Sequence, residues 1–335
     1  MPNTLAHFGI QGIVSHVASP RLDPKLIFLG CLLPDLPWMI QRALQLFHWI
    51  DPYTLRLYCI AQASLAVTLC LCAALASLST QPKTVFMVLG TNVLLHLLLD
   101  ALQIKWANGV HLLAPLSWEL WNAGIFWPES LPTYALTVLG LSYALWHWRA
   151  AITLPVPGPT RSRKRLITAC GWLMLYVMLP VWWLSGPAET NSHFVRTLRA
   201  PKALRVGQYV EFDRNRYRKH QPQDILRTFA GEDIHVDNTI LDHSAIISAQ
   251  AHFVGPDTVH ILAFHEHTAF RDLASYTGIA LLASMWGIAW WRTKKPRINS
   301  SARNHASNEE AGHETQSGVS PIGGARQGSN SDLYG

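Results

Sequence analysis

The sequence predicts a mainly α-helical, polytopic membrane protein of six to seven transmembrane helices, with a small exported β-rich domain of OB-like type inserted before the last helix. Three observations carry this reading. The 335 residues are 49% hydrophobic and only 14% charged, too apolar a balance for an ordinary soluble protein. Apolar runs recur at about the length needed to cross roughly 30 Å of hydrocarbon. A late stretch, residues 187–272, instead alternates polar and apolar residues with the period of half-buried strands. The fourteen tryptophans suit aromatic belts at the membrane interfaces. The formal charge of +6 comes from short basic clusters beside apolar segments, which report topology and exclude nucleic acid as the implied partner.

In chain order, Leu5–Ala18 is a short apolar segment carrying His7, Gln11 and His16. Leu26–Phe47 is interrupted by Pro34, Asp35 and Pro37, which predicts a kinked or broken helix. Spanning helices are expected at Leu57–Leu78, Val85–Leu102, Tyr134–Trp148, Leu166–Leu184 and Tyr276–Trp291. The basic connection with Arg149, Arg161, Arg163, Lys164 and Arg165, and the cluster Arg292, Lys294, Lys295 and Arg297, are assigned to the cytoplasm. Residues 104–132 and 187–272 then fall outside, on the exported side. The domains are accordingly 1–186 (helical membrane domain), 187–272 (exported β-rich domain), 273–295 (last transmembrane helix) and 296–335, whose Ser, Asn, Gly, Gln and Glu composition predicts a disordered cytoplasmic tail. Strands are expected at Arg205–Asp213, Ser244–Val254 and Asp257–His265, punctuated by Gly231, Asp237-Asn238 and Gly255-Pro256. The five cysteines lie in apolar stretches and read as small buried hydrophobes. No cleavable signal peptide is expected, so His7 belongs to the mature chain.

The residues that could carry chemistry centre on LLHLLLDALQIKWANGVHLLAP, Leu94 to Pro115. Four residues apart, His96 and Asp100 share one helix face. Ionisable groups in so apolar a run are costly without partners and are functional candidates. Imidazole and carboxylate together are a donor pair for zinc and other divalent metals. His111 follows Gly109, Asp35 sits in LLPDLP, and His7 lies near the outer end of the first helix. The candidate metal ligands are therefore His7, Asp35, His96, Asp100 and His111, with Asp35 or Asp100 also a candidate general base. Taken on spacing alone, HxxxD is not specific: such a histidine can be hydrogen-bonded structure, and such an aspartate can pair with a cation or mark an ion path.

Residues 1–130 resemble the YdjM-like (DUF457) family of bacterial inner-membrane, membrane-bound metal-dependent hydrolases. The matching pieces are AHFGIQG with His7, GCLLPDLP with Asp35, and LLHLLLDALQIKWANGVHLLAPLSW with His96, Asp100, Gly109 and His111. The resemblance implies a helical membrane protein with a zinc-type hydrolase site, distantly akin to zinc-dependent phospholipase C and P1-type nucleases. One motif departs from the family. Where an RGxTHS-like piece is expected the chain reads LRLYCIAQASLAV; Ser64 matches, but the histidine position is Ala63. His48 and Asp51, in FHWIDPY, are the nearest candidates to replace it.

Three functions stay open on the sequence. The first is a metal-dependent hydrolase acting on a phosphoester or lipid-linked substrate at the outer face of the inner membrane, with membrane lipid as its surroundings. The second is a non-enzymatic membrane protein with a structural metal or proton-relay site. The third is an envelope assembly factor whose β-domain binds a protein partner. The histidine-rich stretch, including His265 and His267, reads as polar strand residues or as a cap offering His or Arg to an anionic substrate. Arg214 to Lys219 could contact phosphate or lipid headgroups.

Overall fold

The computed structural model describes residues 3–155, 160, 162–220 and 222–294; the expected C-terminal tail lies outside the described residues. Among the described residues eleven α-helices and five strands follow in order: α1 (Thr4–Ala18), α2 (Pro24–Leu32), α3 (Leu36–Gln45), α4 (Pro52–Gln62), α5 (Leu65–Ser77), α6 (Pro82–Ala101), α7 (Leu131–Trp146), α8 (Trp148–Thr153), α9 (Arg163–Trp182), α10 (Phe194–Arg199), β1 (Tyr209–Arg218), β2 (Asp224–Arg227), β3 (Asp233–Val236), β4 (Ala245–Gly255), β5 (Thr258–His267) and α11 (Phe270–Lys294).

Local chemistry explains the helix starts. Asn3, Asp23 and Asp51 cap α1, α2 and α4 by accepting from the backbone N–H of Ala6, Lys25 and Thr54. Pro24, Pro52 and Pro82 occupy the first turns of α2, α4 and α6, where a missing N–H costs nothing. The LLPDLP run behaves as its prolines require. It ends α2, forms a 3-10 turn over Leu33–Asp35 and restarts as α3.

The count of six to seven membrane helices is corrected. Among the described residues three helices are long and apolar enough to cross a membrane: Pro82–Ala101, Arg163–Trp182 and Phe270–Thr293. A fourth arises only if α4 and α5 count as one span, and these are bent by 69° where Leu57–Leu78 was expected to be continuous. The remaining apolar segments are too short, with 15 residues in α1 and 16 in α7. Only 17% of the apolar window of α9 and 28% of that of α11 is buried inside the protein, against 50% for α6. α6 is thus the central helix, and α9 and α11 turn apolar faces outward.

Glycines let α1 enter the bundle closely. Gly9 faces Gly140 of α7, where a Cβ would overlap the Leu5 carbonyl, and Gly278 of α11 leaves a Cβ only 2.9 Å from Thr4.

The strands close into a barrel in the order β1-β2-β3-β5-β4, antiparallel except for the parallel β3–β5 pair. The expected strand at Arg205–Asp213 begins later, at Tyr209, because Lys202–Leu204 forms a 3-10 turn. Leu57 of α4 and Ala107 of the α6–α7 connection belong to the same buried cluster as barrel residues Phe212, Tyr217 and Ile234. The barrel therefore packs directly on the helices. Opposite Ser248, β1 carries two residues, Asp213 and Arg214, in a bulge where Arg214 adopts φ 51. Such a bulge re-aims side chains, here toward the helical half.

Candidate metal centre

The site is assembled from the C-terminal end of α6, the start of α1 and the 3-10 turn. On α6, His96 and Asp100 lie one turn apart, as their spacing predicts, and both are buried. α1 brings His7, also buried, so that the His7 and His96 rings stack at 3.9 Å with planes 4° apart. His7 Nε2 lies 3.4 Å from Asp100 Oδ1, and His96 Nε2 lies 3.5 Å from Asp35 Oδ1 and 3.8 Å from Asp100 Oδ2. His7, His96 and Asp100 each offer a ligand atom within 4.8 Å of the others.

Two features test whether these residues fit a divalent metal. His7 Nε2, His96 Nε2, Asp35 Oδ1 and Asp100 Oδ1 are all buried without a hydrogen-bond partner. Buried polar atoms are rarely left unpaired, and each costs about 1–3 kcal/mol. Ligands about 2.1 Å from a tetrahedral zinc lie about 3.4 Å from one another, close to the separations seen here. The remote ring nitrogens are held from behind: Cys31 carbonyl lies 2.6 Å from His96 Nδ1, and the Gln11 amide lies 3.0 Å from His7 Nδ1. Outer contacts of this kind fix ring orientation in metal sites. The residues fit.

His111 is brought to the same cavity but not into the tight set. That cavity, of about 50 Å³, is lined by Asp35, Ala63, Ser64, His96, Asp100 and His111 among others. Burial pushes the His111 imidazole down to about 4, and hydrogen bonds with the Trp118 and Glu119 backbone only partly oppose this. It is neutral at neutral pH, with Nδ1 unpartnered. The expected histidine position, Ala63, does face the cavity, whereas His48 and Asp51 are exposed and do not replace it. Asp51 is engaged as the cap of α4.

Lys105 is not among the residues that the sequence marks for the site. Its Nζ donates to Asp100 Oδ2 at 2.9 Å, with both side chains buried. α6 ends at Ala101 and the chain doubles back, a path no helical spacing reveals. Gln11 was noted only as a polar residue in an apolar helix.

A second cluster joins Glu129 to His265 and His267, and its atoms also lie within 4.8 Å. Here the polar atoms are already satisfied. Glu129 meets His265 Nε2 at 3.3 Å, His267 Nδ1 at 3.0 Å and Arg214 Nη1 at 3.3 Å, while His267 Nε2 pairs with Ser248 at 2.8 Å. Burial alone would raise the Glu129 carboxyl, yet hydrogen bonds from both histidines and the charges of His267 and Arg214 hold it well below the usual range. This cluster is a clasp between the α6–α7 connection and the barrel, its facing nitrogens and carboxylate already paired with one another.

No protein-family model, curated protein or solved structure matches the chain.

Proposed function

We propose that the chain is a membrane-bound, metal-dependent hydrolase acting on a phosphoester or lipid-linked substrate at the outer face of the inner membrane. Convergence of four buried, unpartnered donor atoms from His7, Asp35, His96 and Asp100 carries this reading. The donor set, two imidazoles with carboxylates, suits zinc. The resemblance of the AHFGIQG, GCLLPDLP and HLLLD…NGVH pieces to the YdjM-like family supports the same reaction class.

When bound, the ion would acidify water and polarise a phosphoryl oxygen. The chain's own residues do the rest. Asp35 is the less committed carboxylate, since Asp100 is tied to Lys105, and it is assigned as the base that takes a proton from water. Lys105 neutralises Asp100 and keeps one oxygen facing the centre. Gln11 and the Cys31 carbonyl hold the two imidazoles in register. The barrel, read as OB-like, covers the outer end of the helices and limits water entry.

A second reading rests on Lys105. Its ammonium supplies a cation to Asp100 without any metal, as a non-enzymatic proton-relay or structural site would require. Metal analysis of the full chain purified without chelator separates the two. About one zinc per chain is expected, lost in His96→Ala combined with Asp100→Ala, with hydrolysis of a soluble phosphodiester lost in parallel. Metal-free wild-type protein would overturn the hydrolase reading.

A further inference from the structure

Two larger cavities adjoin the metal centre. One, of about 300 Å³, lies between the outer ends of α3 and α4, the α6–α7 connection and the barrel bulge. The other, of about 280 Å³, is a groove between α3 and the first turns of α11, floored by Thr4 of α1 and Leu32 of α2. Trp38 lines both and the centre, Asp35 lines the centre and the groove, and Arg42 and Arg271 line the groove and the chamber. The three spaces therefore share walls and lie side by side.

Their chemistry differs sharply. The chamber is lined by five cationic side chains, Arg42, Arg56, Lys105, Arg214 and Arg271, against two carboxylates, Asp213 and Asp272. Arg56 is spent on Asp213 at 3.1 Å, Lys105 on Asp100, and Arg271 on Asp272 at 2.9 Å; Arg214 is shared between Glu129 and Asp272. Arg42 donates only to the Tyr276 hydroxyl, at 3.2 Å, and among the described residues no carboxylate lies within ion-pair distance of it. Gln41 Oε1 and Gln45 Nε2 on the same wall are buried without partners. The groove is apolar at Leu32, Met39 and Ile279, and it opens outward where Met39 is 37% and Tyr276 59% exposed. It runs along the outer two turns of a helix long and apolar enough to cross a membrane.

We infer that the substrate is a lipid phosphoester that enters sideways from the bilayer, its tail in the α3–α11 groove and its phosphate guided past Arg42 and Trp38 to the metal centre. This rests on the hydrolase reading for its chemistry: water's oxygen joins phosphorus, the P–O bond to the alcohol breaks, and that alcohol oxygen takes the proton. Charge complementarity selects the headgroup, and the apolar groove selects a lipid over free phosphate.

Binding to the full chain in detergent, read by native mass spectrometry, tests the site without requiring turnover. The probes are dioleoyl phosphatidate, dioleoylglycerol and inorganic phosphate. Phosphatidate is expected to bind at least tenfold tighter than either of the others. Arg42→Gln, and separately Ile279→Trp, should each weaken it about tenfold with zinc content unchanged, while Arg42→Lys keeps most of the affinity. Equal binding of dioleoylglycerol, equal binding of inorganic phosphate, or wild-type affinity in both folded variants would overturn the inference. Zinc-free protein that still selects phosphatidate upholds the lipid site and removes only the hydrolase reading.

Discussion

Gln11 shows how finely the centre depends on a single side chain. Its Nε2 lies 3.0 Å from His7 Nδ1, while Gln11 Oε1 is buried without a partner. Turning the amide by half a rotation lets the oxygen accept from Nδ1–H and frees the Nε2 lone pair for metal. Gln11→Leu should therefore weaken zinc binding about 10- to 100-fold. Gln11→Glu, whose carboxylate also accepts from Nδ1–H, should retain it. Titration with a competing chelator reads both, and unchanged affinity in Gln11→Leu would remove this role. His96 and Asp100 were legible because a spacing of four on a helix fixes their relation by local geometry. Lys105 was not, because its approach to Asp100 depends on the path of the chain after α6 ends.

Between elements, the closest packing is that of α1 on α7. Because α1 carries His7, the Gly9–Gly140 approach sets the height and depth of one candidate ligand. A methyl at Gly140 would overlap the Leu5 carbonyl, so Gly140→Ala must push the helices apart. Its expected cost is about 1–3 kcal/mol of stability, with loss of most zinc affinity. Gly171→Ala on α9 meets nothing within 4 Å and serves as the control, with zinc binding unchanged and the melting temperature equal to or slightly above that of the wild type. The LLPDLP break was readable from its prolines alone. The 69° bend at Ala63–Ser64 was not, since no Pro or Gly lies there. The bulge at Asp213 and Arg214 was equally hidden, because it depends on the register with β4.

For the molecule as a whole, the barrel covers the end of the bundle where the ligand set and the cationic chamber lie. Cysteine accessibility in intact cells tests the orientation drawn from the basic loops. In a background lacking the native cysteines, Cys at the exposed His243 should react with an impermeant maleimide, and Cys at the exposed Ser162 only after permeabilisation. The reverse pattern would put the centre on the cytoplasmic side. The sequence by itself determined that the chain is mainly helical with a late run of strands, together with the HxxxD pair and the broken Pro-Asp turn, because each follows from periodicity or from proline's missing N–H within a few residues. Only the tertiary structure decided how many helices are long enough to span, and it alone brought His7 and Lys105 to Asp100 and Asp35 to His96, left His111 at the cavity edge and opened the groove beside Trp38. Those relations join residues far apart in the chain, and the packing of whole helices fixes them.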